Sequence, residues 1–310
     1  MFRCKIGTAI LAFILLVLAV PAAADPPSLA QGTVLAEVER FHPGDFIWAP
    51  ELSPEGPVHV VINRRSQRLI VFRNGIPIGI STVSTGRPGY TTPTGTYRIL
   101  QKRVEHYSSL YHNAPMPYMQ RLTWGGIALH AGQLPGRPAS HGCIRLPLDF
   151  ARALFAVTRL GTTVVITDRP LMPKLGVATD MAAADRALAR HTAAGPAIWE
   201  EDETQSGPVA VTASIPDSRL LVIRNGRIIG SAPMAAPALE SVAAFRVRAL
   251  GGEGRQWTRV ALPGQSAEEE PVRDPFQLLS VESAFLQRLE PLLTPGATFL
   301  LLPDSLRPTN

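Results

Sequence analysis

The chain has 310 residues, 45% apolar and 18% charged, a balance that supports packed cores, excludes a disordered polyelectrolyte and leaves room for two ordinary domains. Its net charge of +5 suits an anionic partner. The basic residues form no dense run and no nucleic-acid motif, which argues against nucleic acid; an anionic polymer of the cell envelope fits the export address read next. Twenty-nine prolines and 25 glycines, with few long helical patterns, favour a mainly β fold with short helices.

In chain order, Arg3 and Lys5 precede an apolar run from Ile6 to Val20 and then Pro21-Ala22-Ala23-Ala24, the layout of a secretory signal peptide over residues 1–24. Cleavage after Ala24 is expected to deliver the chain to the periplasm or cell envelope. It also removes Cys4 and leaves Cys143 as the single cysteine, without a disulfide partner in an oxidising compartment. Residues 25–57 read as a lead-in, with an amphipathic patch from Val34 to Phe41 and the segment Phe46-Ile47-Trp48.

A first domain is expected over residues 58–168. It opens with the β-branched run Val58 to Asn63, then Arg68 to Phe72, the turn Asn74-Gly75, and Ile76 to Val83. Two β-rich runs around Asn-Gly predict a hairpin, because both residues tolerate the positive φ of a tight turn. Turn formers through Thr92-Pro93-Thr94-Gly95 lead into a strand from Thr96 to Leu100. The stretch from Arg103 to Thr123, with His106, Tyr107, Tyr111, His112 and Tyr118, has no clear period and reads as a loop, either a flap over substrate or an ordinary surface loop. Pro147 is expected at the first position of a helix whose apolar face is Phe150, Ala151, Leu154 and Phe155; Gly161 ends it, and Thr162 to Thr167 forms a closing strand.

Residues 169–208 read as a helix from Ala178 to Thr192 and an exposed linker containing Glu200-Glu201-Asp202-Glu203. Val209 to Gly230 then aligns with Val58 to Gly79 at a constant offset, with ten identical pairs that include Arg68/Arg219, Asn74/Asn225 and Gly75/Gly226. Phe285 to Leu302 echoes Phe150 to Thr167. Residues 209–302 are therefore expected to be a degenerate second copy of the first unit, followed by a tail over 303–310. The copy holds no histidine and no cysteine, so it cannot repeat the chemistry of the first.

That chemistry is concentrated in Ile127-Ala128-Leu129-His130-Ala131-Gly132 and Ser140-His141-Gly142-Cys143-Ile144-Arg145. Cysteine attacks as the thiolate, and a free thiol is only partly ionised at neutral pH, so a catalytic cysteine needs an imidazole or a helix N-terminus nearby. His130 ends an apolar run and can project from a strand as a general base. His141 falls on the side of Cys143 only if the backbone between them is extended. Gly142 permits a sharp turn that aims backbone N–H groups at an oxyanion, and Ser140 can hydrogen-bond either histidine. An open zinc site on His130, His141 and Cys143 is the competing reading, although a closed one lacks a fourth ligand.

The Ser-His-Gly-Cys-Ile-Arg string with an upstream histidine, the Thr-Pro-Thr-Gly string and the opening hairpin resemble the YkuD-type L,D-transpeptidases over about Val58 to Asp168. The resemblance implies a β-rich catalytic domain acting on peptidoglycan stem peptides without metal or organic cofactor. Cys143 would be the nucleophile. His130 would accept and return its proton, with its ring held by the Ala131 carbonyl. His141 and Gly142 would support the oxyanion site, and Arg145, Ser140 and Tyr118 would contact substrate. The acyl acceptor would be the amine of a second stem or of an envelope protein. Transfer to water would make the same site an L,D-carboxypeptidase. A non-catalytic envelope-binding scaffold is the alternative of another class, suggested by the second unit.

Overall fold

The structure, a computed structural model, describes residues 26–109, 112–170, 173–177, 180–200, 206–251, 254–265 and 271–307. The signal peptide with Cys4, Tyr111, the expected helix start at Ala178, the acidic run Glu201-Asp202-Glu203 and the end of the tail lie outside the described residues. The chain is mainly β with short helices, and no described helix is long and apolar enough to cross a membrane.

Helix α1 (Val34–Glu39) leads in. The Asp304 carboxylate accepts from its first amides, Val34 N at 3.0 Å and Leu35 N at 3.3 Å, so the end of the chain caps its beginning. The first unit follows as β1 (Phe46–Trp48), β2 (Val58–Asn63), β3 (Arg68–Arg73), β4 (Ile76–Thr82), β5 (Gly95–Arg98), β6 (Gln101–Arg103), β7 (Met119–Arg121), β8 (Ala128–Ala131), β9 (Ile144–Leu146), α2 (Leu148–Val157) and β10 (Thr163–Thr167). One sheet runs β1-β4-β3-β2-β10-β5, with only β2 and β10 parallel; the other runs β6-β7-β8-β9, with β8 and β9 parallel. The β3–β4 turn has φ 50° at Asn74 and 78° at Gly75, the left-handed pair that the Asn-Gly signal predicts. Helix α2 buries Phe150, Ala151 and Leu154, and Phe150 meets the edges of Phe46 and Trp48 at 5.6 and 5.4 Å.

Two expectations need correction here. Pro147 is the residue before the helix rather than its first, and α2 ends at Val157 because Thr158 turns extended and spends its hydroxyl on the Leu154 carbonyl and Gln120. Gly161, with φ 83°, instead opens the turn into β10. The stretch from Arg103 to Thr123 is also no plain loop. It contains β7, and a ladder of backbone bonds extends outward from it: Tyr118 N to Val104 O, Met116 N to His106 O and Ser108 N to Ala114 O. Backbone pairing of this kind requires no side-chain period, which is why the sequence looked structureless.

Helix α3 (Met181–Thr192) leads to the second unit: β11 (Ile198–Trp199), β12 (Val209–Ser214), β13 (Arg219–Arg224), β14 (Arg227–Ala235), β15 (Ala243–Gly251), β16 (Gly254–Arg259), β17 (Pro271–Val272), β18 (Ser280–Val281), α4 (Ser283–Leu289) and β19 (Thr298–Leu302). Its sheet runs β11-β14-β13-β12-β19-β15, with β12 and β19 parallel, the strand order and sense of the first sheet, and then continues into β16 and β17. The supposed linker therefore contains a strand. Trp199 pairs with Gly230 as Trp48 pairs with Gly79, and each indole rests edge-on against the helix phenylalanine, Phe285 or Phe150. A Cβ on Gly79 or Gly230 would lie only 2.5 or 2.8 Å from the indole, so both positions need glycine for close approach.

The hairpin tips of the two units touch. Asn74 Oδ1 accepts from Gly226 N at 2.9 Å and Asn74 Nδ2 donates to Pro208 O at 3.0 Å. One apolar cluster includes residues of both units, among them Phe72, Val177, Leu221, Ile223 and Leu300, and a second lies within the second unit around Trp257 and Phe299. Helix α3 is stapled to β14 by His191, whose Nδ1 faces Ser231 Oγ at 3.0 Å and whose Nε2 faces Glu200 at 3.2 Å. Ser231 is wholly buried and also accepts from Arg219, so this Ser-His-Glu string is a structural contact that no substrate reaches.

Candidate active site

His130 lies on β8 and Cys143 just before β9, and the parallel pairing of these neighbouring strands sets Leu129 level with Ile144 and His130 with Arg145. Cys143 sits at the mouth of β9, half-buried against Met116, Met119 and Ala128, and its thiol donates to Gly126 O at 3.2 Å. Burial pushes the thiol pKa up. A backbone hydrogen bond from Ala128 and the positive charges of Arg145 and Arg121 act in the opposite direction.

His130 is buried, with Nδ1 2.7 Å from Ala131 O. A carbonyl only accepts, so Nδ1 carries the proton and Nε2 the lone pair, the form a general base requires. Burial lowers the imidazole pKa to about 4, the Ala131 bond opposes this, and Arg145 and His106 reinforce it. Burial thus favours the neutral form of both the thiol and the imidazole.

The turn that presents Cys143 is held from inside. Ser140 Oγ donates to Cys143 O at 2.5 Å and accepts from Gly142 N at 3.1 Å, and Gly142 has φ 111° with its amide in the turn. Both findings correct the sequence reading. Ser140, 2% exposed, is committed to the turn rather than to a histidine or to substrate, and the Gly142 N–H is occupied by Ser140 rather than directed at an oxyanion. A Cβ at Gly142 would lie 2.8 Å from the movable Cδ1 of Ile127, so it is the positive φ that calls for glycine here.

Tyr118 is likewise redirected. Its hydroxyl accepts from Arg152 Nε at 2.9 Å and its ring meets Phe155 edge-on, so α2 and not the cysteine cluster engages it. Arg145 is locked into the sheet through both backbone bonds to Ser84, and its side-chain carbons lie against Gly132. His141 turns away to Arg87, with Nε2 2.9 Å from Nη2. Among the described residues no three His, Cys, Asp or Glu side chains are grouped to hold a metal ion.

Thr92, to which the sequence reading gave no role of its own, is the fastener between loops. Its buried hydroxyl donates to Gly142 O at 2.8 Å and accepts from Gly86 N at 2.8 Å. Gln67 extends the same frame, bonding Thr85 through both ends of its amide, while Thr85 O receives Ala139 N and Ser140 N. The signal for Thr92 was the Thr-Pro-Thr-Gly string; nothing local marks Gln67. Thr92→Val keeps the shape and strands two buried backbone groups. It is expected to cost about 1–3 kcal/mol in chemical denaturation and to slow alkylation of Cys143 relative to wild type, and an unchanged midpoint would mean that the turn holds itself.

Residues 57–166 match the YkuD family, described as the L,D-transpeptidase catalytic domain. YqjB of Bacillus subtilis strain 168, provisionally named an L,D-transpeptidase, is 28% identical over 138 residues, which cover 39% of this chain and 78% of YqjB. An L,D-transpeptidase structure from Stackebrandtia nassauensis is 30% identical, with 37% of this chain and 58% of that chain covered and a TM-score of 0.34. One from Mycobacterium tuberculosis H37Rv is 25% identical, with 36% and 58% covered and a TM-score of 0.35. The chain thus spans about 58% of the length of these two solved relatives. Over residues 57–166 the chain is thus similar to the L,D-transpeptidase catalytic domains of the YkuD family.

Proposed function

We propose that this domain transfers peptidoglycan stem peptides through a thioester on Cys143. The observation that carries the reading is the fixed tautomer of His130, which leaves a lone pair at Nε2 on the strand beside the one that Cys143 opens. Cys143 Sγ attacks the carbonyl between an L-centre and a D-residue while its proton passes to His130 Nε2. The tetrahedral intermediate collapses with that proton delivered to the departing D-residue amine, leaving the thioester. An acceptor amine then attacks, His130 takes its proton, and the thiol is regenerated by return of that proton as the new amide forms. With the Gly142 amide spent on Ser140, the developing oxyanion is assigned to the Cys143 N–H and its neighbours.

The acceptor is a second stem peptide or an amine on an envelope protein, and the layout of residues 1–24 supports delivery to the periplasm. Incubation with purified muropeptides and mass spectrometry of the products tests the reaction. Crosslinked dimers or exchange of the terminal D-residue are expected. Shortened stems with no transfer product would make the enzyme a carboxypeptidase, and no change in any stem would favour a non-catalytic role.

A further inference from the structure

Two imidazoles flank the Ser-His-Gly-Cys turn, and only one can serve Cys143 as a base. His141 Nε2 lies 2.9 Å from Arg87 Nη2. A guanidinium has donors only, so Nε2 must offer its lone pair there, and the proton of a neutral His141 must sit on Nδ1. The opposite tautomer would set two N–H groups against each other.

The pair is built into the site. The Arg87 amide donates to Ser140 O at 3.0 Å, and Gly86 bridges Ser140, so the Arg87 loop is laced to the cysteine turn. Tyr90 clamps both partners: its ring meets the His141 ring nearly perpendicularly at 4.7 Å, and the Arg87 guanidinium lies 4.8 Å from its centre. His130 shows the complementary state, with Nδ1 tied to a carbonyl and Nε2 bearing the lone pair.

We propose that Arg87 is a positioning residue that holds His141 in the Nδ1–H tautomer and occupies its lone pair, thereby reserving the Cys143 proton for His130. The proposal rests on the acyl-transfer reading of the site for its purpose, but its physical content concerns the free protein. Arg87 acts through His141 and needs no contact with substrate.

Long-range proton–nitrogen NMR of the nitrogen-15-labelled full chain, with His141 assigned through His141→Gln, reads the tautomer without any substrate. In wild type, Nδ1 is expected at the shift of a protonated nitrogen and Nε2 at that of a lone-pair nitrogen. Arg87→Lys, which keeps a donor, should preserve this pattern. Arg87→Met should lose it and lower acyl transfer roughly three- to tenfold, the size of one partly exposed hydrogen bond. A wild-type His141 protonated on Nε2, or a pattern unchanged in Arg87→Met, would overturn the proposal. A wild type that makes no transfer product, yet has the expected tautomer, would overturn the acyl-transfer reading instead.

Discussion

Cys143→Ala is expected to abolish product formation, a loss of about 10⁴-fold or more, while leaving the fold intact. The substitution removes the only atom proposed to carry the acyl group. Structurally it removes little: the thiol's hydrogen bonds with Gly126 O and the Ala128 backbone and its packing on Met116, Met119 and Ala128, worth about 1–2 kcal/mol. Muropeptide turnover and thermal unfolding of the same preparation separate the two effects. Unaltered turnover would rule out thiol catalysis. Lost turnover with a strongly lowered midpoint would move Cys143 from chemistry to architecture. Because the second unit has no counterpart of the site, residual activity in this variant cannot come from a duplicate centre.

His130→Gln is expected to lower turnover by about 10²- to 10⁴-fold, the usual contribution of a positioned general base. The pH dependence of wild type gives a sharper test. His130 acts only when neutral, and burial holds its pKa at about 4, so kcat/KM should rise as pH increases through about 4 and level off well below neutrality. Burial raises the Cys143 pKa, so the plateau should extend above neutrality. An acid limb near the ordinary histidine value of 6.5 would contradict this account of the site.

The same burial has a stability consequence with a definite sign. His130 and His59 both have folded pKa values near 4, against 6.5 when exposed, so folding favours their neutral forms. That contribution is full above about 6.5 and is lost as pH falls toward 4, to a limit of about 3 kcal/mol for each group. Chemical denaturation across this window should show it, and His59→Phe should remove part of the slope, since His59 stacks on Phe72 with its Nε2 unpartnered among the described residues.

What was legible in the sequence was whatever depended on local backbone demands or on reactive atoms. Asn74-Gly75 and Asn225-Gly226 announce hairpins because tight turns need their positive φ, and Cys143 and His130 stand out because few side chains can do their chemistry. Partnerships made by distant segments were not legible. Ser140 reads as a polar neighbour of two histidines, yet folds inward to bond Gly142 and Cys143. Tyr118 reads as a loop residue that the resemblance would set against substrate, yet its hydroxyl engages Arg152 of α2. The two-residue strand Ile198–Trp199 is too short to show a period. It becomes visible only when the 151-residue offset between the units is carried upstream to Ile47 and Trp48.

The most direct test of the central claim is intact-protein mass spectrometry after brief exposure to a tetrapeptide stem without acceptor, followed by peptide mapping. The account predicts a mass increase equal to the stem minus the released free D-amino acid, located on Cys143 and removed by hydroxylamine or by an acceptor amine. Turnover without any such adduct under rapid quench, or an adduct that persists in Cys143→Ala, would contradict it.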